Sequence, residues 1–406
     1  MHSKILIEKL NSWLIIGLFF FIPISTAMGS IISLFIFILW ILDANFRNQF
    51  MQFKSNSVAI ASIVFYFVFI VGIFWSDDVD SGLDIIRKNW KFFMLPVFMF
   101  YVRNEHISIY INAFVASIFL SEVLSYLVWL DIIDPFLKAT KDNPVIFMSH
   151  IVYNPLLAVA IYIIAARLLF NKKDSTTKKS FGIFFLLTAT INMFITGGRS
   201  GQIMFFIAII IIAYQYFRES LVRFLGASLI VSSTILLIAY SFSPIFSERL
   251  DQTVNNIKPF KSNQISRKEL NTSVGQRISW AINGLDVFYQ NPFFGVGTGD
   301  HIHEMEKMRL INFPEVVKTD NPHNNHLYVA TQLGLLGIFS FYWLFYSQLK
   351  SRNNIKNKEL ARLGLAIPIL FFIVSFGESY LSIHVTSLFF CLISAVIFAE
   401  NKIKPT

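Results

Sequence analysis

Apolar runs of about 12 to 24 residues recur from one end of this 406-residue chain to the other, and no other feature narrows the fold as much. A helix that crosses the hydrocarbon of a bilayer needs about 20 apolar residues, fewer where flanking side chains reach back to the interface. On that criterion twelve runs qualify: residues 13–27, 31–42, 58–75, 90–102, 107–130, 151–169, 181–196, 202–217, 221–242, 327–347, 363–376 and 383–399. Composition agrees, with 55% hydrophobic residues and 15% charged, so a bilayer is the solvent. The expected fold is an all-α integral membrane protein of about 12 transmembrane helices. A signal peptide is an alternative for the first run, because Lys4 and Lys9 precede it and Ser25-Thr26-Ala27 ends it.

The cations set the orientation. With the N-terminus in the cytoplasm, Arg47, Lys54, Arg103, Arg167, Lys172, Lys173, Lys178, Lys179, Arg218 and Arg223 fall inside, as do Lys350, Arg352, Lys356, Lys358, Arg362, Lys402 and Lys404. The outside loops carry Asp77, Asp78, Asp80, Asp84, Asp131 and Asp134. This asymmetry places both termini in the cytoplasm. The net charge of +9 is distributed between apolar runs and forms no basic domain, which excludes a nucleic-acid partner, and membrane lipids are the expected surroundings. The single Cys391 excludes a disulfide framework.

One connection, residues 243–326, is far longer than the others and faces the outside. Loops of that length usually carry function. It divides the chain into residues 1–242, the loop 243–326 and residues 327–406, all within one membrane domain. After a polar stretch from Lys258 to Lys268, Thr272 opens an amphipathic helix with apolar Ile278, Ala281, Ile282, Leu285 and Phe288 on one side. Asn291-Pro292 ends it, and Gly295-Val296-Gly297-Thr298-Gly299 makes a turn.

Three groups on the outer face could do chemistry. Arg199 lies in a minimal turn, Thr196-Gly197-Gly198-Arg199-Ser200-Gly201, where a charge at the boundary is costly and the glycines let backbone approach an anion; the alternative is a snorkelling or capping residue. Arg277 opens the loop helix, where N–H groups and a guanidinium favour phosphate; it could equally be a solvated loop charge. The third group is Asn321-Pro322-His323-Asn324-Asn325-His326, entering the tenth run, with a histidine able to take a proton and Asn324 able to bind a sugar, or else a polar helix cap. Asp78-Val79-Asp80 fits a weak Asp-x-Asp metal pattern but also an acidic outer loop. Glu122, Glu378 and His384 lie in or beside runs, where ionisable groups tend to pair or line cavities.

Four blocks resemble the O-antigen ligases and their relatives, the O-antigen polymerases and O-linked oligosaccharyltransferases. They are Trp75-Ser76-Asp77 with Lys88-Asn89-Trp90, residues 196–201, residues 273–299, and Pro322-His323-Asn324 through Leu333-Gly334-Leu335-Leu336-Gly337. The resemblance implies a glycosyltransferase of the bacterial inner membrane without metal or other cofactor. Its donor would be an undecaprenyl-diphosphate-linked glycan and its acceptor lipid A-core oligosaccharide, at the periplasmic face. It also implies Arg199, Arg277 and His323 as catalytic residues, the two arginines and Asn324 as substrate-binding residues, and no family counterpart for His326. The close alternative is a polymerase that extends the lipid-linked glycan. A metal-dependent polyprenyl-phosphate-sugar transferase and a flippase stand further off, the latter because its charges belong at the bilayer midplane. Oligosaccharyltransferase relatives carry extra C-terminal sequence, which argues against that branch.

The orientation predicts that a single cysteine at Asn263 reacts with an impermeant thiol reagent on intact cells, and one at Asn354 only after permeabilisation. The opposite pattern would put all three candidate groups in the cytoplasm.

Overall fold

Where no water reaches the backbone, every N–H and C=O must be satisfied within the chain, and an apolar segment folds as a helix. The computed structural model describes residues 2–171, 173–261 and 270–399, and among them it is helical without a β-strand; a lone bridge joins Thr140 and Asn143. Lys172, Asn263, Lys402, Lys404 and residues 262–268 of the polar stretch lie outside the described residues.

The helices are α1 (His2–Phe21), α2 (Thr26–Asp43), α3 (Phe46–Ser55), α4 (Ser57–Val71), α5 (Val79–Lys88), α6 (Trp90–Tyr101), α7 (Ile107–Trp129), α8 (His150–Phe170) and α9 (Thr176–Ile195). They continue as α10 (Arg199–Tyr216), α11 (Leu221–Phe242), α12 (Pro244–Lys261), α13 (Ser273–Gln290), α14 (His301–Asn312), α15 (Asn325–Ser351), α16 (Lys358–Val374) and α17 (His384–Phe398). Eight are long and apolar enough to cross a membrane: α2, α4 with its 3-10 extension to Trp75, α7, α8, α9, α10, α11 and α15. The other four expected runs are also helices. However, α1 carries Lys4, Glu8 and Lys9, α16 has 17 residues, α17 has 15 and α6 only 12. At 1.5 Å per residue α6 is about 18 Å long, short of the roughly 30 Å hydrocarbon core.

Burial separates the core from the lipid side. Residues 385–398 of α17 and 152–164 of α8 are buried without a break. Along α11 only Ala239 is buried, while Leu229, Leu237 and Phe242 stand exposed, as suits a helix facing hydrocarbon. An α8–α10 contact and an α4–α15 contact are the most extensive in the molecule.

The long connection is more ordered than a loop with one helix. It contains α12, α13 and α14, and its glycine turn is built into a span. At Gly334 α15 breaks, with φ 57° and ψ −147°, which releases backbone groups in the middle of the helix. The turn after α13 takes them up. Val296 N donates to Thr331 O at 2.9 Å and Gly297 N to Gln332 O at 3.0 Å, while Leu335 N donates to Pro292 O at 2.7 Å and Leu336 N to Phe293 O at 3.2 Å. The same turn reaches α4: Thr298 N donates to Gly72 O at 3.1 Å and Thr298 Oγ1 to Phe69 O at 2.8 Å. Asp300 then accepts from the backbone of Asp77 and Asp78, at 2.9 and 2.7 Å. Asp78 in turn caps α5 through Ser81 N at 3.0 Å, a helix-capping role for the Asp-x-Asp segment.

A Cβ at Gly334 would lie 2.5 Å from Phe293 C and 2.6 Å from Pro292 O, in a left-handed backbone. Gly334→Ala is expected to destabilise the protein by about 1–3 kcal/mol from backbone strain alone, read as a lower melting temperature in detergent. A melting temperature equal to wild type would mean that the break is not held by this turn.

Candidate functional site

Two short turns and two loop helices meet at the ends of α8, α9 and α10. Thr196 Oγ1 donates to Asn154 Oδ1 at 2.8 Å, which holds the residue 196–201 turn against α8. A Cβ at Gly198 would lie 2.7 Å from His150 O, and one at Gly201 would collide with Asn154. Gly198 and Gly201 thus let the turn pack closely on α8, and Gly197 and Gly198 also line the cavity described below. The effect is to seat Arg199 on the first turn of α10 at the boundary, where helix N–H groups already favour negative charge.

Arg249 was not among the sequence candidates. Ser243 Oγ donates to Phe194 O at 2.7 Å, and Phe246 packs edge-on against Phe194 with ring centroids 5.0 Å apart. Those contacts anchor the start of α12 on the end of α9 and carry Arg249 over Gly197, whose Cβ would lie 3.5 Å from Nη2. Arg249 looked like one charge in a polar loop because nothing local marks α12 as docked on α9. Arg277 comes from the other side, on the first turns of α13, whose start is capped by Thr272 Oγ1 accepting from Gly275 N at 3.1 Å.

Arg199, Arg249 and Arg277 line one cavity of about 100 Å³ together with His150, Ser200 and Tyr380. The expected convergence of Arg199 and Arg277, 78 positions apart, is present in the structure. Among the described residues neither Arg199 nor Arg249 has an acidic partner. Guanidinium groups this close repel one another, and an anion of two or more charges is the ligand that relieves it. Burial holds the Tyr380 phenol well above its ordinary value, against a lowering by Ser200, so the cavity wall carries a neutral hydroxyl.

Arg277 is the cation that is paired. Its Nη1 donates to Gly377 O at 2.9 Å and its Nη2 to Glu378 Oε2 at 3.3 Å. Glu378 lies in the turn between α16 and α17 with a side chain 2% exposed, and His323 Nδ1 stands 2.8 and 2.9 Å from its two oxygens. Burial alone would raise the Glu378 carboxyl; the hydrogen bond and charge of His323, the Ser379 N–H and Arg277 outweigh it and hold the group below its ordinary range. An ionised carboxylate only accepts, so His323 carries its proton on Nδ1 when neutral. Its Nε2 has no hydrogen-bond partner among the described residues, and the side chain is 28% exposed.

His323 precedes α15 instead of lying on it. Its φ is +50°, and Asn324, not Asn321-Pro322, caps the helix, with Oδ1 accepting from His326 N at 2.9 Å and Leu327 N at 3.1 Å. His323 and His326 therefore do not share a helical face, and the Asn324 carboxamide oxygen is committed to the cap. His326 points into the core, stacked on Phe376 at 3.7 Å, with Nε2 donating to Phe372 O and Nδ1 accepting from Tyr342, both at 3.2 Å. A third histidine, His301, donates to Asp320 O at 3.3 Å, and burial pushes its imidazole down to about 4. Glu122 is buried in α7, away from this cluster, and His384 Nε2 meets Ser30 Oγ at 3.2 Å. No group of three or more His, Cys, Asp and Glu side chains is placed to share a metal ion among the described residues.

Residues 183–342 match the family model described as O-Antigen ligase, a stretch that holds Arg199, Arg249, Arg277 and His323 but ends before Glu378. Over these residues the chain is similar to the O-antigen ligase family. An O-antigen ligase of Escherichia coli strain K12 is 26% identical over 230 residues, covering 54% of this chain and 52% of that protein. A Rickettsia felis protein provisionally named a polysaccharide ligase is 24% identical over 275 residues, 59% of this chain and 65% of its own length. An uncharacterized protein of Haemophilus influenzae is 23% identical over 247 residues, 58% and 61%. The chain thus spans between about half and two thirds of the length of these curated relatives. The family match and the apolar helices together make it a multi-pass membrane protein.

If the three guanidinium groups form one anion site, inorganic pyrophosphate should bind the purified protein, and Arg249→Ala should weaken it by about 1.5–3 kcal/mol, the worth of a hydrogen bond to a charged group. Calorimetric titration reads this directly. Equal affinity in wild type and Arg249→Ala would remove Arg249 from the site.

Proposed function

We propose that this chain is an O-antigen ligase: a glycosyltransferase that moves a glycan from undecaprenyl diphosphate to lipid A-core oligosaccharide, on the periplasmic face of the inner membrane. The observation that carries the reading is one cavity lined by Arg199, Arg249 and Arg277, in a chain whose residues 183–342 match the O-antigen ligase model, with a carboxylate-bound histidine attached to it through Glu378. In this reading both termini are cytoplasmic, and the connection at 243–326 is the periplasmic part of a single membrane domain, between residues 1–242 and 327–406.

The diphosphate is already a good leaving group, so two things remain for the protein to supply. Cations must hold the charge that grows on the bridging oxygen as the sugar C1–O bond breaks, and a base must take the proton of the attacking hydroxyl. Arg199, Arg249 and Arg277 do the first, in a setting where fixed charges cost no reorganisation. His323 Nε2 does the second: the acceptor oxygen forms its bond to C1, the C1–O electron pair leaves with the polyprenyl diphosphate, and the proton passes to Nε2 and then to solvent. Guanidinium groups take the part that a divalent metal plays in other transferases, while the Asp78 side chain is engaged in capping α5. Asn324 contributes to the sugar site through its amide nitrogen, its oxygen being committed to the cap.

His323→Ala is expected to lower transfer by about 10² to 10⁴ in a purified assay with lipid-linked donor and lipid acceptor, with pyrophosphate binding retained. His326→Ala is expected to lower thermal stability through lost packing while the folded fraction keeps its turnover. Near-normal transfer by His323→Ala would remove it as the base. In cells, loss of a ligase leaves core without O-antigen, whereas core bearing a single repeat would make the chain a polymerase.

A further inference from the structure

Glu378 sits where the base and the cation cavity meet, and its four contacts come from three parts of the chain. It accepts from His323 Nδ1 through both oxygens, from Arg277 Nη2 on α13, and from Ser379 N at 3.0 Å within its own turn. A carboxylate 2% exposed is costly to keep ionised unless its lone pairs are used, and these contacts use them. The turn that carries it is also tied to the segment that carries His323. Asn321 Oδ1 accepts from His323 N at 3.0 Å and from Ser379 Oγ at 2.6 Å, so a single carboxamide fixes both backbones.

The imidazole is held in every direction that matters to a proton acceptor. Its backbone is in the left-handed region, which a non-glycine residue enters only when the surroundings require it. Its face lies against Trp280, with centroids 4.8 Å apart and planes 21° apart, and the Trp280 indole is fixed by donating to Val317 O at 3.1 Å. Its Nδ1 edge is on Glu378, which leaves only Nε2 open. A surface ion pair has no need of this much constraint.

We propose that Glu378 is a positioning residue for the transfer: it keeps the His323 proton on Nδ1, presents Nε2 as the acceptor, and stabilises the imidazolium that forms when the hydroxyl proton arrives. This rests on the reading of His323 as the base. The link to Arg277 gives the same carboxylate a second duty, because Arg277 is then held by Gly377 and Glu378 at one end of its fork while it lines the cavity. Base and leaving-group site are thereby kept at a fixed separation, the condition under which proton removal and bond breaking can coincide.

The test is kcat for the full-length protein in lipid nanodiscs, with wild type, Glu378→Gln, Glu378→Asp, His323→Ala and the double variant Glu378→Gln/His323→Ala compared. Glu378→Gln is expected to reduce kcat about 10²- to 10⁴-fold, as for removal of the orienting carboxylate of a catalytic histidine. Glu378→Asp should recover part of kcat. The double variant should be no slower than His323→Ala alone, because Glu378 acts through that imidazole. A double variant slower than His323→Ala by the full Glu378→Gln factor overturns the proposal. If Glu378→Gln does not fold, Glu378→Asp decides, since shortening the side chain must lower kcat by loosening Nδ1, and a wild-type kcat overturns the proposal. Unimpaired turnover by His323→Ala would instead remove the base itself.

Discussion

The break in α15 at Gly334 releases backbone carbonyls and amides inside a membrane-spanning helix, where each unsatisfied group costs several kcal/mol. That demand organises this end of the molecule. The turn at residues 292–299 satisfies it with four backbone hydrogen bonds, and three glycines of that turn adopt positive φ values of 68°, 111° and 112° to reach the gap. Once the turn is seated, α13 before it and α14 after it have little freedom. A helix that would otherwise lie on the surface is locked over the start of α15, and Arg277 and Trp280 are carried into place beside His323.

The chemistry at that point follows from an imbalance of charge. Three guanidinium groups converge and one carboxylate, Glu378, answers them while also holding the histidine. Left without ligand, Arg199 and Arg249 repel each other and Arg277 in a partly desolvated setting, a strain that a diphosphate relieves and a neutral sugar does not. In the proposed function the polar half of the donor would be selected by electrostatics, and its lipid half would need only an apolar flank such as the exposed side of α11.

How much of this was legible from sequence depends on the range of the interaction. The Thr272 cap, the helix α13, its end at Asn291 and the glycine turn are encoded within a few residues and are where the sequence reading put them, but α13 buries Ser279, Trp280, Asn283, Gly284 and Val287, while the expected apolar positions Ile282 and Leu285 stand exposed. Arg199 stood out because a cation in a minimal turn between spans has few ordinary explanations. Arg249 and the break at Gly334 did not stand out, because each acquires its meaning from a partner far away in sequence, Phe194 and Pro292 respectively; Glu378 stood out as an ionisable group beside a span, but its partner His323 did not show in the sequence. Glycine inside an apolar run reads as a small packing residue until the chain that fills the gap is known. Of the twelve expected spans, eight meet the length and composition of a crossing among the described residues, and the runs at α1, α6, α16 and α17 are helices that are shorter or carry charge.

The central claim is that one cation cavity, joined to His323 through Glu378, receives the donor's diphosphate. An experimental structure of the protein in a lipid nanodisc with bound polyprenyl diphosphate tests it most directly. The expected result is phosphate oxygens within hydrogen-bond distance of Arg199, Arg249 and Arg277, with His323 Nδ1 still on Glu378 and Nε2 open toward the phosphorus-bound end of the lipid. Phosphates bound elsewhere, with the three guanidinium groups left facing one another, would contradict it.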